Sequence, residues 1–108
     1  MIKVNCKEGV WFKFITYEFL VAAQIVYGEY ARQGITPTVT SACDGNHMEG
    51  SYHYKGLAWD FRIWGLYDPE AVCNVIKDKL STIDYHYDVC WEQDHIHIEF
   101  DENKVRLT

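Results

Sequence analysis

Two short segments carry residue types that can bind a metal ion and move protons. Ser51-Tyr52-His53-Tyr54-Lys55-Gly56-Leu57-Ala58-Trp59-Asp60 offers His53 and Asp60, and Asp94-His95-Ile96-His97 offers His97 with a carboxylate close by. Zinc takes imidazole nitrogen and carboxylate oxygen at about 2.0–2.2 Å, and a catalytic site uses three protein ligands so that the fourth position holds water. His53, Asp60 and His97 make such a set. Asp94 is then left to handle protons, with Glu92 as the fallback. A bland reading competes: His95 and His97 share a strand face, and if both bind, the site closes at four ligands and no water enters.

These residues need elements that bring them together. Leu57, Trp59, Phe61 and Ile63 alternate with Ala58, Asp60 and Arg62, the pattern of a half-buried strand with Asp60 pointing away from the apolar face. In His95-Ile96-His97-Ile98-Glu99-Phe100 the isoleucines and Phe100 enter the core while both histidines and Glu99 share the other face. If the two strands are neighbours, Asp60 and His97 converge. His53 reaches back from the preceding loop, where Gly56 permits a sharp return. A helix over residues 53–60 fits worse, because its ends would lie roughly 10 Å apart along the axis with Gly56 in the middle. Asp94, three residues before His97, needs irregular backbone at 94–95 to face the same way, and the competing reading makes it a turn residue or an orienting partner.

Ser-x-His-x-x-Gly-x-Ala-x-Asp followed by Asp-x-x-His resembles the LAS metallopeptidases. These include D-alanyl-D-alanine carboxypeptidases, L-alanyl-D-glutamate endopeptidases of phage lysins, and the hedgehog signalling domain. Ser51, His53, Gly56, Ala58 and Asp60 match the first motif. The resemblance implies that His53, Asp60 and His97 bind zinc, that Asp94 is the general base, and that His95 assists. It spans about residues 16–101 and is nearest to small phage-encoded members, by the runs Thr40-Ser41-Ala42-Cys43-Asp44-Gly45 and Asp94 to Asp101. The implied function is hydrolysis of a peptidoglycan stem peptide at a bond involving a D-amino acid, connected with phage lysis. A non-catalytic zinc protein on the same fold is the alternative. The chain departs from the family where Ser41-Ala42-Cys43-Asp44 stands in place of a segment that often carries a substrate-holding arginine. Arg62 on the Asp60 strand, with Ser51, is the substitute for substrate contact, and Lys55 is a less well placed one.

The other elements follow from periodicity and breakers. A short strand is expected over residues 2–6, and a helix over 16–33 with Phe19, Leu20, Ala23, Val26, Tyr27 and Tyr30 at helical spacing, Thr16 as its cap and Gly34 at its end. A strand over 37–40 leads into a polar loop over 44–50. Asp68-Pro69 starts a second helix through about Leu80, with Val72, Val75, Ile76 and Leu80 inward. Residues 85–90 and 95–100 form a hairpin joined by Trp91-Glu92-Gln93-Asp94. His86 reads as an ordinary strand residue, His47 as an exposed loop histidine, and Trp59, Trp64 and Trp91 as core or cleft wall. The fold class is therefore α+β: a mainly antiparallel sheet with two principal helices packed on one face and the zinc site on the other.

At 108 residues with 48% hydrophobic content, the chain suits one domain, residues 1–108, with one core. A net charge of −6 speaks against nucleic acid, whose phosphates demand clustered Lys and Arg. It also speaks against electrostatic adhesion to anionic wall polymers. No apolar stretch is long enough for a membrane span, and the start Met1-Ile2-Lys3-Val4-Asn5-Cys6 does not read as a secretory signal, so synthesis in a cytoplasm and action on the wall after release are expected. A monomer is expected. Cys6, Cys43, Cys73 and Cys90 lack Cys-x-x-Cys spacing and read as reduced, mostly buried thiols.

Overall fold

The computed structural model describes residues 2–44 and 50–106. It contains β1 (Asn5–Cys6), α1 (Tyr17–Ala31), β2 (Thr38–Ser41), a 3-10 turn (Tyr52–Lys55), β3 (Ala58–Arg62), α2 (Pro69–Ile83), β4 (Tyr87–Glu92) and β5 (His95–Phe100). The strands form one sheet in the order β1-β2-β3-β5-β4. Only β1 and β2 run parallel, joined through α1, and every other pairing is antiparallel. This is the expected α+β architecture. Among the described residues no helix is long and apolar enough to cross a membrane.

Local chemistry sets the helix boundaries. Thr16 caps α1, its hydroxyl accepting from Phe19 N at 3.1 Å, and Gly34, at φ 71°, follows where the helix has stopped. Asp68 caps α2 by accepting from Ala71 N at 3.1 Å, and Pro69 occupies the first turn, where a missing N–H does no harm. Both helices lie on one face of the sheet. Phe19, Ala22, Val26 and Tyr30 of α1 and Val72, Ile76 and Leu80 of α2 share a buried cluster with Trp59, Phe61, Val89, Ile96 and Ile98 of the strands. Each large apolar side chain so buried contributes roughly 1.5–3 kcal/mol relative to exposure. The inter-helix ion pair of Glu29 with Lys79 pins α1 to α2 at the edge of this layer.

Several expectations need correction. β1 covers only Asn5–Cys6. Leu20 is 51% exposed and Val75 39%, so neither is a core residue. Both helices carry more apolar residues than one buried stripe needs, and the surplus faces outward. α2 runs on to Ile83. β4 begins at Tyr87, which leaves His86 in the preceding turn, where its Nδ1 lies 2.6 Å from Asp84 Oδ1. The hairpin linker is two residues, Gln93 and Asp94, so Trp91 and Glu92 belong to β4. Trp59 is core and Trp64 walls a pocket beside Asp60 and Arg62, as expected of them, whereas Trp91 is exposed. All four cysteines are free, but only Cys43 and Cys73 are buried. Within the 44–50 loop, residues 45–49, including His47, lie outside the described residues.

Candidate metal centre

The sheet register assembles the site. β3 and β5 place Asp60 directly opposite His97, and β4 and β5 place Cys90 opposite His97 and Glu92 opposite His95. Paired residues share a face, so Asp60, His95, His97, Glu99, Cys90 and Glu92 all lie on the side turned away from the helices. At the adjoining edge, Val39 pairs with Phe61 and Ser41 with Asp60, so β2 spends two residues against one of β3. This bulge at Thr40 bends the strand end beside Asp60.

His53 arrives from outside the sheet. Ser51 caps the 3-10 turn, its Oγ accepting from His53 N at 3.2 Å, and Gly56 closes it at φ 69° with its N–H donating to the His53 carbonyl at 3.1 Å. The positive backbone angle favours glycine, and a Cβ at Gly56 would lie 2.8 Å from Phe14 Cε2, so the exposed Phe14 ring would have to move aside. The Gly56 carbonyl in turn accepts from the Thr16 hydroxyl at 3.1 Å, which fastens the turn to the start of α1.

The ligand atoms of His53, Asp60 and His97 all lie within 4.8 Å of one another. His53 Nδ1–H donates to the Ala42 carbonyl at 2.8 Å; a carbonyl only accepts, so this bond fixes the tautomer and turns Nε2 toward Asp60 Oδ1, 3.6 Å away. His97 shows the complementary arrangement, with Nε2 bonded to Glu99 Oε1 at 2.8 Å and Nδ1 to Asp60 Oδ1 at 2.8 Å. Each imidazole is therefore oriented by an outer acceptor while its other nitrogen converges on one carboxylate. That is how metal-binding histidines are held, with outer partners fixing ring and tautomer. The donor set of two imidazoles and a carboxylate suits zinc. The group can hold a metal ion. Asp44 supports it from behind, its Oδ1 accepting from Ala42 N at 2.9 Å and from Trp11 N at 3.1 Å.

Without an ion the charges balance differently. Burial works against a charged His97, but the hydrogen bonds to Asp60 and Glu99 outweigh it and raise its pKa to about 9. An imidazolium cannot bind metal, so uptake must expel this proton. At pH 7 metal binding is expected to release close to one proton from His97. Apparent affinity should weaken about tenfold per pH unit below about 9 and level off above it, since a raised pKa means protonation competes on the acid side. Calorimetric titration in buffers of different ionisation enthalpy measures the released proton. A pH-independent affinity between pH 7 and 9 would show that His97 is not held protonated by Asp60 and Glu99 in the metal-free protein.

The remaining site residues fall around this group. A cleft of about 610 Å³ is lined by His53, Asp60 and His97 together with Ser51, Glu92 and His95. His95 Nε2 is 3.7 Å from Asp60 Oδ1 and 3.6 Å from Glu92 Oε1, yet His95 is not part of the mutually close set of three. Asp94 does not line this cleft. It sits at the hairpin tip with its side chain 82% exposed, bonds His95 Nδ1 at 2.9 Å, and lines a neighbouring pocket that also contains Asp60 and Arg62. That hydrogen bond from His95, chiefly, holds its carboxyl below the usual range. Glu92 Oε1 lies 3.9 Å from His97 Nδ1. Lys55 is engaged with Glu102 at 3.8 Å. Sequence reasoning gave no role to Glu99, Asp44 or the Ala42 carbonyl. Only Glu99 carried a signal, two residues beyond His97 on the same strand face.

The fold and site together define an α+β domain with a His-Asp-His group able to hold a metal ion. No protein-family profile, curated protein or solved structure matches the chain.

Proposed function

We propose that the chain is a zinc-dependent peptidase of the LAS type, cleaving a D-amino-acid-containing bond of peptidoglycan stem peptides in phage lysis. The observation that carries this reading is the pair of histidines, each locked by an outer acceptor and aimed at Asp60 in an open cleft. The motif resemblance adds the substrate class. His53, Asp60 and His97 hold the zinc. Bound there, zinc supplies an acidified water and a polarised carbonyl.

The chain's own residues supply proton transfer and orientation. Asp94, kept ionised by His95, accepts a proton from the attacking water and passes it to the leaving amine. His95 connects Asp94 with the Asp60 side of the site and steadies the developing oxyanion. Ser51 positions His53 and lines the cleft where the peptide lies. A second reading gives the proton role to Glu92, favoured by its place in the cleft 3.9 Å from His97 Nδ1.

Purified peptidoglycan tests the activity directly. The zinc-loaded protein is expected to release new amino termini identifiable by mass, slightly favouring the L-alanyl-D-glutamate bond, with activity lost to a chelator and restored by zinc. If no ends appear while a known lysin releases them in parallel, the chain is a non-catalytic zinc-binding interaction protein.

A further inference from the structure

His53 stands on a turn outside the sheet, so its place relative to His97 depends on what fastens that turn. The bonds from Ser51 to His53 N and from Gly56 N to the His53 carbonyl lie within the turn and cannot locate it on the sheet. Its exit is tied to β5, where the Leu57 carbonyl accepts from Phe100 N at 2.8 Å. Its entrance is tied one residue further along the chain. Tyr52, immediately before His53, donates its hydroxyl to Asp101 Oδ1 at 2.6 Å, across 49 residues of sequence. Such a short separation belongs to a hydroxyl on an ionised carboxylate, and that bond, chiefly, holds the Asp101 carboxyl below its usual range.

Asp101 is itself rigidly placed. Its N–H donates to the His86 carbonyl at 2.9 Å, which carries the β4-β5 ladder one residue past Phe100. Strand alternation then puts it on the face of His95, His97 and Glu99. Its Oδ1 also accepts from Asn103 N at 3.0 Å, a local turn that short acidic side chains favour, and its carbonyl accepts from Lys104 N at 3.0 Å. Asn103 Nδ2 adds a longer bond to the Tyr52 hydroxyl, at 3.4 Å. The nearby pair of Lys55 with Glu102, at 3.8 Å and about half exposed on both sides, contributes little. One strand therefore sets both imidazoles, whose ring centroids are 5.2 Å apart: β5 carries His97 directly and anchors His53 through Asp101 and Tyr52.

We propose that Tyr52 and Asp101 are positioning residues for the metal centre, fixing through one hydrogen bond the separation of His53 from His97 and so the strength and geometry of metal binding. The proposal rests on the metal group and not on the peptidase reading. Binding alone tests it.

Zinc affinity is measured by competition with a chelator, and the arrangement of ligands is read from the visible bands of bound cobalt(II), which respond to ligand number and geometry. Tyr52→Phe deletes the hydroxyl and keeps the ring. It should weaken zinc about tenfold, at the low end of the range for outer partners of a metal ligand, and shift the cobalt bands. Asp101→Ala should do the same, whereas Asp101→Asn, whose amide oxygen can still accept from the hydroxyl and from Asn103 N, should recover most of the loss. Because both changes remove one bond, the Tyr52→Phe/Asp101→Ala protein should be no weaker than either single variant. Tyr52→Phe decides alone if Asp101→Ala disturbs folding. A bond that only braced the C-terminal segment would lower the Tm of metal-free Tyr52→Phe protein and leave zinc affinity and cobalt bands unmoved, and that result overturns the proposal. Losses that add in full in the double variant also overturn it. If the wild type takes up neither zinc nor cobalt, the metal group itself falls; wild-type binding matched by Tyr52→Phe removes the positioning role alone.

Discussion

His97→Ala protein is expected to purify with almost no zinc and to bind added zinc more than about 100-fold more weakly than the wild type. Loss of an outer partner to a ligating histidine typically costs about 10- to 100-fold in affinity, and loss of the ligand itself must exceed that. The stabilisation that zinc adds should vanish with it: an ion present at 100 times its dissociation constant contributes about 2.7 kcal/mol, readable as a zinc-dependent rise in Tm in the wild type alone. Glu99→Gln should fall between the two, because His97 keeps its contact with Asp60 and loses the carboxylate that orients Nε2. His95→Ala separates an open from a closed site. If it retains zinc while His97→Ala does not, three ligands suffice. Equal loss in both would make this a closed structural centre, and full occupancy in His97→Ala would remove the assignment altogether.

The part of this site legible in the sequence is the part governed by strand alternation. Asp60 and His97 could be placed on one face before any pairing was known, because Trp59, Phe61, Ile96 and Ile98 claim the other face for the core. Gly56 announced a sharp turn, and the turn indeed presents His53. Glu92 was harder. Trp91 and Glu92 look like linker next to a charged tip, and the actual two-residue turn places Gln93 at φ 42° without the Asn-Gly or Asp-Gly pair that usually marks such hairpins. Once the turn is two residues long, Glu92 must pair with His95 and share its face. Backbone partners such as the Ala42 carbonyl leave no trace in residue types. Nor could local pattern reveal that β1 lies parallel to β2 at the sheet edge, since that pairing depends on how α1 crosses the sheet.

On the proposed peptidase reading, Asp94→Asn is expected to keep zinc, fold and peptide binding while turnover falls about 10²- to 10⁴-fold, the usual consequence of losing a general base. The amide preserves shape and can still accept the His95 hydrogen bond through its oxygen, so a structural role alone predicts little change. Asp94 is exposed at the hairpin tip, which makes a folding defect a poor explanation for any loss. Glu92→Gln is the decisive comparison, because Glu92 occupies the cleft with the ligands and Asp94 the pocket beside it. If Asp94→Asn retains full activity and Glu92→Gln loses it, the proton passes through Glu92. The pH profile provides a second readout. Asp94 has its carboxyl held below the usual range, so with zinc kept saturating at every pH a base at that position adds a low-pH ionisation to the acid limb of kcat/KM. Loss of that low-pH ionisation in Asp94→Asn supports Asp94 as the base, and its survival there with loss in Glu92→Gln would place the base at Glu92.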